Sequence, residues 1–306
     1  MDQANSLRKI INTNIENIKG HLSLGKTNME KTNSSKVKAA PRVISVTSGK
    51  GGVGKTNVVG NFAIAFSKLG LKVLVFDADL GLANIDIIFG VNPKYNIDHV
   101  LRGEKEISEI IVDGPEGVKI IPAGSGFANL TNLTKGQKLN LLSEFEIFND
   151  NLDIMLVDTG AGISTNVVYF NLAADECIIV ATSEPTSNTD AYAMMKVMFT
   201  KYGTKHFKLL VNMVKNDSEA KMVYMNLSRA ADRFLNGVVV EYIGYVPDDD
   251  LIRKAVKSRS TVMKMYPNAA SSIKFKKIAS TLLEMPRRFD SDGNMKFFLK
   301  RFMDYR

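Results

Sequence analysis

The sequence predicts an α/β fold in which a doubly wound, mostly parallel sheet is covered by helices on both faces. From residue 42 onward, short apolar runs alternate with helix-period segments, and a glycine-rich loop joins the first run to the first helix. Strands buried on both faces read as apolar runs, and helices between them make parallel connections. The predicted strands are 43–47, 72–77, 118–122, 154–158, 177–182, 208–212 and 241–246. The predicted helices are 56–69, 135–148, 165–173, 189–201, 219–235, 251–258 and 271–284.

Composition limits the class of protein. The hydrophobic fraction of 45% is enough for a sizeable core, and the single cysteine, Cys177, excludes a disulfide framework. With no signal sequence and no apolar run long enough to span a bilayer, we expect a cytoplasmic protein. Residues 1–41 carry 7 basic and 3 acidic side chains, residues 42–250 carry 19 and 25, and residues 251–306 carry 14 and 4. The two terminal segments are therefore basic and the central segment is acidic. This distribution suggests that the termini contact an anionic surface, either membrane or nucleic acid.

The spacing of apolar residues divides the chain into four segments. Residues 1–24 are predicted to form an amphipathic helix, and residues 25–41 a flexible linker rich in Lys, Ser, Thr and Asn. Residues 42–285 form the α/β domain. Residues 286–306 are predicted to contain a basic amphipathic helix, which suits the lipid headgroup boundary, although such helices also cover their own domain. Its apolar face consists of Met295, Phe298, Leu299, Phe302 and Met303.

The glycine-rich loop between the first strand and the first helix follows the pattern GxxxxGKT. Glycines allow the backbone to turn so that its N–H groups point at phosphate oxygens, and the next helix directs its positive end at the same anion. Lys55 supplies a charge for the β- and γ-phosphates, and the Thr56 hydroxyl is placed to coordinate Mg²⁺. The predicted phosphate-binding residues are Gly49, Gly51, Gly52, Val53, Gly54, Lys55, Thr56 and Asn57.

Carboxylates follow two of the predicted strands. Asp77 and Asp79 end the strand that begins near residue 72, and Asp158 ends the strand that begins at residue 154. Ligands bind at this edge of a parallel sheet, and an apolar strand ending in aspartate is typical of a Mg²⁺ site beside phosphates. Turn or capping aspartates are the alternative interpretation of Asp77 and Asp79.

A second lysine within the loop, Lys50 in KGGVGKT, resembles the deviant Walker A motif of the MinD/ParA ATPases. The resemblance covers residues 42–306 and implies ATP or ADP with Mg²⁺ as ligands. It implies that Lys50 reaches the nucleotide of a second copy in an ATP-bound homodimer and that Asp79 positions or activates the attacking water. The implied catalytic residues are Lys50, Lys55 and Asp79; the implied Mg²⁺ residues are Thr56, Asp77 and Asp158; the implied adenine contacts are Asn212, Pro247 and Asp248. For Asn212, a turn asparagine is the alternative.

The N-terminal sequence, in which Asp2-Gln3-Ala4 is followed by Leu7-Arg8, resembles the DQAxxLR motif of the FlhG group of this family, also called FleN or YlxH. The string DTGAG at residues 158–162 resembles the same branch. The resemblance implies that the N-terminal helix binds the signal-recognition-type GTPase FlhF and stimulates its GTP hydrolysis. Gln3, Leu7 and Arg8 are then the partner-binding residues, and components of the flagellar C-ring are further candidate partners.

The implied function is a nucleotide-switched regulator of flagellar number and placement. ATP would join two copies and free the terminal helix for the anionic inner face of the cell membrane, and hydrolysis would return the monomer to the cytoplasm. The membrane-contacting residues would be Phe298, Leu299, Phe302 and Met303.

Two other classes of protein share parts of this pattern. A ParA-like protein that partitions DNA or cargo would place its basic surface on DNA, but DNA binding does not need the apolar stripe of the terminal helix, so we expect no direct contact with nucleic acid. An iron–sulfur carrier would need paired cysteines at a dimer face, and the chain has only Cys177.

Overall fold

A computed structural model describes residues 41–79, 84–124 and 152–286. Its strands are β1 (Arg42–Ser48), β2 (Val73–Ala78), β3 (Val112–Asp113), β4 (Lys119–Ile121), β5 (Ile154–Ala161), β6 (Glu176–Ala181), β7 (His206–Val214) and β8 (Val239–Pro247). Its helices are α1 (Lys55–Lys68), α2 (Ile85–Phe89), α3 (Ile97–Leu101), α4 (Ile107–Ile110), α5 (Thr165–Ala173), α6 (Pro185–Tyr202), α7 (Asp217–Phe234), α8 (Asp250–Lys257), α9 (Val262–Met265) and α10 (Ala270–Glu284). A short 3₁₀ turn, Pro115–Gly117, precedes β4.

The strands form one sheet in the order β3-β4-β2-β5-β1-β6-β7-β8. All neighbouring strands are parallel except β3 and β4. The order of the strands reverses at β1, in the middle of the sheet. Connections that leave on opposite sides of this point open a crevice at the carboxyl ends of the strands, which is where ligands bind in such folds.

The two faces of the sheet are covered by different helices because successive side chains of a strand point to opposite faces. Ile44 and Val46 pack under α1 and α10, where Phe62 and Phe275 meet edge to face with ring centroids 5.6 Å apart. Val43 lies on the other face, in the cluster that includes Phe170 of α5. Side chains of α6 and α7 cover the same face further along the sheet. The predicted doubly wound α/β fold is therefore confirmed.

The predicted elements match the observed ones within a few residues wherever the structure describes them. The largest difference is α6, which begins at Pro185 rather than at residue 189, because proline is well suited to the first helical position. The sequence did not predict α2, α3, α4, α9 and β3, which have two to five residues each. Elements this short have too few residues to display a period.

A buried network of charged side chains joins four strands at the amino ends of β1, β6, β7 and β8. Arg42 donates to both carboxylate oxygens of Glu176, and Lys208 lies 3.4 Å from Glu176 and 2.8 Å from Glu241. Arg42 also donates to the carbonyl oxygen of Leu282, in the last turn of α10, at 2.5 Å. The side chains of Arg42 and Glu176 are 2% and 6% exposed, so folding removes both charges from water. The ion pairs of this network compensate for that lost hydration.

Several predictions from the sequence lie outside the described residues. These are the N-terminal helix with Gln3, Leu7 and Arg8, the linker up to residue 40, residues 80–83, the helix at 135–148, and the terminal segment from residue 287 with Phe298, Leu299, Phe302 and Met303. No helix within the three described ranges is both long and apolar enough to cross a membrane.

Candidate functional site

The glycine-rich loop leaves β1 in the middle of the sheet and turns directly into α1. Gly52 and Gly54 have positive φ angles of 79° and 86°, a conformation that glycine adopts without strain. No side chain caps the start of α1, so its first backbone N–H groups are available to an anion. The loop therefore has the backbone conformation that the predicted phosphate cradle requires.

Two glycines of the loop lie against neighbouring elements. A Cβ atom added to Gly49 would overlap the backbone carbonyl of Asp190 in α6, and one added to Gly54 would lie 2.6 Å from the side-chain nitrogen of Asn212. Gly51 and Gly52, in contrast, are exposed at the top of the loop. The loop is thus packed at both ends and open where a phosphate chain would enter.

Lys55, Thr56 and Asp158 meet beneath the loop. The Thr56 hydroxyl donates a hydrogen bond to the Asp158 carboxylate, and the Lys55 ammonium is electrostatically coupled to Asp158 and Asp79. Burial lowers the pKa of Lys55, and the two carboxylates partly oppose this effect. Burial makes the positive charge of Lys55 unfavourable unless an anion lies beside it. A phosphate group would supply that negative charge.

Asp158 stands opposite Asp77 in the parallel register of β5 and β2. Burial raises the pKa of Asp158 to about 8, and the charge of Asp77 adds to this, while Thr56 and Lys55 act in the other direction. Burial likewise raises the pKa of Asp77 to about 7. Burial and mutual repulsion both oppose the ionisation of these two carboxyl groups. A divalent cation bound between them would stabilise their charged forms.

The residues present fit a Mg²⁺ ion. One oxygen of Asp158 is buried and lacks a hydrogen-bond partner, and an orphaned carboxylate oxygen is a suitable ligand for a hard cation. Thr56 and Asp158 would hold the ion, directly or through water, and Asp77 would support them. Bound there with a nucleotide, Mg²⁺ neutralises charge on the β- and γ-phosphates.

Asp77 and Asp79 have different surroundings. The carboxylate of Asp77 accepts backbone N–H bonds from Asp79 at 3.1 Å and from Ile85 at 3.4 Å, so it also anchors the backbone at these two residues. The carboxylate of Asp79 lies against the carboxyl end of β5, since a Cβ atom added to Gly160 would lie 3.5 Å from its Oδ1. Asp79 thereby stands between Lys55 and the segment that follows Asp158.

A second cavity opens beside the loop and brings the predicted base-binding residues together. It is lined by Asn57, Val58, Asn212, Met213, Pro247, Asp248, Asp249, Ile252, Arg253 and Phe275. The apolar members offer a surface to a flat ring, and the polar members offer hydrogen bonds. A nucleoside triphosphate could therefore bind with its phosphates on the loop and its base in this cavity.

Comparisons with known proteins decide the family. A family model described as ParA, NUBPL iron-transfer P-loop NTPase, matches residues 39–283. The chain belongs to this family.

Antiactivator FleN of Pseudomonas aeruginosa is 40% identical to this chain over 86% of the chain and 94% of FleN. Flagellum site-determining protein YlxH of Helicobacter pylori is 36% identical over 88% of the chain and 92% of YlxH. In the MinC:MinD cell division complex of Aquifex aeolicus, the matched chain is 26% identical, with a TM-score of 0.62 over 82% of this chain and 99% of that one. These findings confirm the resemblance to the FlhG group of MinD/ParA-type P-loop NTPases, and the chain is an ATPase.

The iron transfer named in that family description needs accessible thiolates. Cys177 is buried at the start of β6, and burial raises the pKa of its thiol to about 12. A buried thiol at the edge of the sheet opposite the phosphate loop does not offer such a thiolate.

Lys50, the additional lysine of this ParA-type loop, contacts side chains of its own chain. The Nζ atom of Lys50 lies 2.5 Å from a carboxylate oxygen of Glu184 and donates to the Thr186 hydroxyl at 2.9 Å. Both partners stand at the start of α6. The side chains of Lys50 and Glu184 are 38% and 64% exposed, so this ion pair is accessible from solvent.

Sequence reasoning missed some residues of this ATPase site. Arg253 lines the base cavity and donates to the Asp248 carboxylate at 2.7 Å, and Met213 lines it from a strained position with φ of 56°. The sequence also did not predict that Glu184 and Thr186 hold Lys50. Met213 directly follows Asn212, and Arg253 lies five residues after Asp248, but neither residue type signals nucleotide binding by itself.

Proposed function

We propose that this ATPase regulates flagellar number and placement by an ATP-dependent switch between a monomer and a membrane-bound dimer, and that it stimulates the GTPase FlhF through its N-terminal helix. The observation that carries the proposal is the identity with FleN and YlxH over nearly their whole lengths. In the proposed cycle, ATP and Mg²⁺ bind at the loop, a second copy covers the bound phosphates, and hydrolysis separates the copies.

The surroundings of Lys50 support the dimerisation step. An exposed ion pair contributes only about 0–1 kcal/mol, so little free energy holds Lys50 on Glu184. A phosphate of the nucleotide bound to a second copy would offer the same ammonium a charge-assisted hydrogen bond, in an interface that holds less water. The exposed Ile163, on the loop between β5 and α5, would be covered by the approach of the second copy.

Replacing Lys50 by alanine should abolish ATP-dependent dimerisation and leave most of the nucleotide affinity of the monomer. Lys55→Ala should instead lose the affinity itself, because Lys55 lies beneath its own loop whereas Lys50 is proposed to act in trans. A charge-assisted contact contributes about 1.5–3 kcal/mol. Light scattering with ATP and fluorescent-nucleotide titration measure the two effects. Lys221→Ala, which removes another exposed and paired lysine, is the matched control. Equal loss of monomer affinity in Lys50→Ala and Lys55→Ala would contradict the trans role.

Deleting residues 294–306 should abolish ATP-dependent binding to anionic vesicles and leave ATP binding unchanged. One amphipathic helix gives marginal membrane affinity, whereas two on a dimer gain avidity, so coupling to ATP follows from dimerisation. Phe298→Glu with Phe302→Glu should have the same effect, because it places charge on the inserting face. Co-sedimentation of the truncated protein with vesicles would rule out this segment as the anchor.

A peptide of residues 1–23 should accelerate GTP hydrolysis by FlhF without the rest of the chain. Each apolar side chain of this helix that is buried on a partner contributes about 1.5–3 kcal/mol before ordering costs. Gln3→Ala in the peptide should weaken the effect, while a peptide of the same composition in scrambled order should have none. If the peptide is inactive and the ATPase without it loses stability, the helix packs on its own domain instead.

A DNA- or cargo-partitioning ATPase is the alternative, and exposed cations in the described part favour it. Arg253, Lys254 and Lys257 of α8 and Lys276 and Lys277 of α10 are exposed. A basic surface of this kind binds DNA with an affinity that falls steeply with salt. Retention of duplex DNA by the chain without residues 294–306, lost on adding salt, would favour the alternative over the membrane switch.

A further inference from the structure

Asn212 makes a direct hydrogen bond to the phosphate loop. Its side-chain nitrogen donates to the backbone carbonyl oxygen of Val53 at 2.8 Å, in a buried contact between residues 159 positions apart. Asn212 itself is 4% exposed. The bond leaves the amide little freedom, because the Gly54 backbone packs against the same nitrogen.

The local structure of β7 is altered where this side chain emerges. The register between β7 and β8 shifts between Val211 and Val214, and Met213 has a positive φ angle of 56°. Irregularities of this kind redirect side chains and are frequent beside functional sites. Here the irregular stretch carries Asn212 to the loop at the carboxyl end of the strand.

The bonded carbonyl belongs to the peptide plane that also carries the N–H of Gly54. In a planar trans peptide the C=O and N–H bonds point in opposite directions. Fixing the Val53 carbonyl toward Asn212 therefore turns the Gly54 N–H to the opposite side, away from Asn212. The N–H groups of such a loop are the donors that bind phosphate oxygens.

We propose that Asn212 is a positioning residue that fixes the Val53–Gly54 peptide in its phosphate-binding orientation, whatever base the ligand carries. This role differs from the adenine contact that the sequence implied, because it acts on every phosphate ligand of the loop. The two roles are compatible in space, since Asn212 also lines the base cavity.

The test uses the chain of residues 1–306, Mg²⁺ and two ligands, ATP and inorganic tripolyphosphate. Asn212→Asp keeps the shape of the side chain but removes the donor and places a negative charge against the carbonyl. Its affinities for ATP and for tripolyphosphate should fall by similar factors, about ten- to hundredfold. Asp248→Ala, which alters the base cavity without touching the loop, should weaken ATP and leave tripolyphosphate binding unchanged.

Two further measurements separate positioning from general destabilisation. The backbone amide resonance of Gly54 should shift in ligand-free Asn212→Asp and not in Asp248→Ala. Asn212→Ala, which adds no charge, should show the same loss for both ligands, and it decides the matter if the aspartate variant does not fold. Loss of ATP binding alone in both Asn212 variants, or an unmoved Gly54 resonance, would overturn the proposal.

Discussion

Asp79→Ala is expected to retain ATP binding and lose ATP hydrolysis, so that the ATP-bound dimer accumulates. The carboxylate lies against the carboxyl end of β5 and is electrostatically coupled to Lys55, so we expect it beside the γ-phosphate of a bound ATP. A positioned carboxylate that orients or activates water contributes about 10²–10⁴-fold to the rate. Neither the phosphate cradle nor the base cavity includes Asp79, so nucleotide affinity should change little.

Phosphate release and size-exclusion chromatography with ATP check this result. Asp113→Ala is the matched control, because Asp113 is an exposed carboxylate on the β3–β4 hairpin, paired with Lys119. Hydrolysis at the native rate, or a variant that stays monomeric with ATP, would show that Asp79 does not orient the water.

Arg42→Met is expected to destabilise the fold by about 3–5 kcal/mol, because it leaves the buried carboxylate of Glu176 without its main partner. Lys208 remains 3.4 Å from that carboxylate, which favours the lower end of this range. The substitution also removes the donor to the Leu282 carbonyl, so the end of α10 should loosen with it. Chemical denaturation measures the free energy of unfolding.

Two variants test whether buried charge is the cause. Arg42→Met with Glu176→Gln removes both charges of the pair and should recover part of the loss. Arg102→Met breaks an exposed ion pair with Glu104 and should change the free energy of unfolding little. If Arg42→Met costs no more than Arg102→Met, the buried network does not stabilise the fold.

The sequence predicted the regular elements well because their signals are local. Each inner strand is an apolar run, and α1, α7 and α10 show helical periods over fourteen or more residues. The phosphate loop was equally easy to predict, because a glycine-rich GxxxxGKT pattern between a strand and a helix is typical of phosphate binding. The short helices around residues 85–110 and the edge strand β3 gave no such signal. Their conformation depends on packing against the sheet rather than on their own pattern.

Of the candidate site, the sequence by itself predicted the loop and the carboxylates near the carboxyl ends of two strands, because that edge of a parallel sheet binds ligands. The candidate base contacts Asn212, Pro247 and Asp248 came from the resemblance to the MinD/ParA ATPases. Only the tertiary structure decided which of these groups touch. The pairing of Lys50 with Glu184, the opposition of Asp77 and Asp158, and the bond from Asn212 to Val53 join residues 81 or more positions apart. Such contacts are fixed by strand order and register, and these follow from burial summed over the whole sheet rather than from any local run of residues.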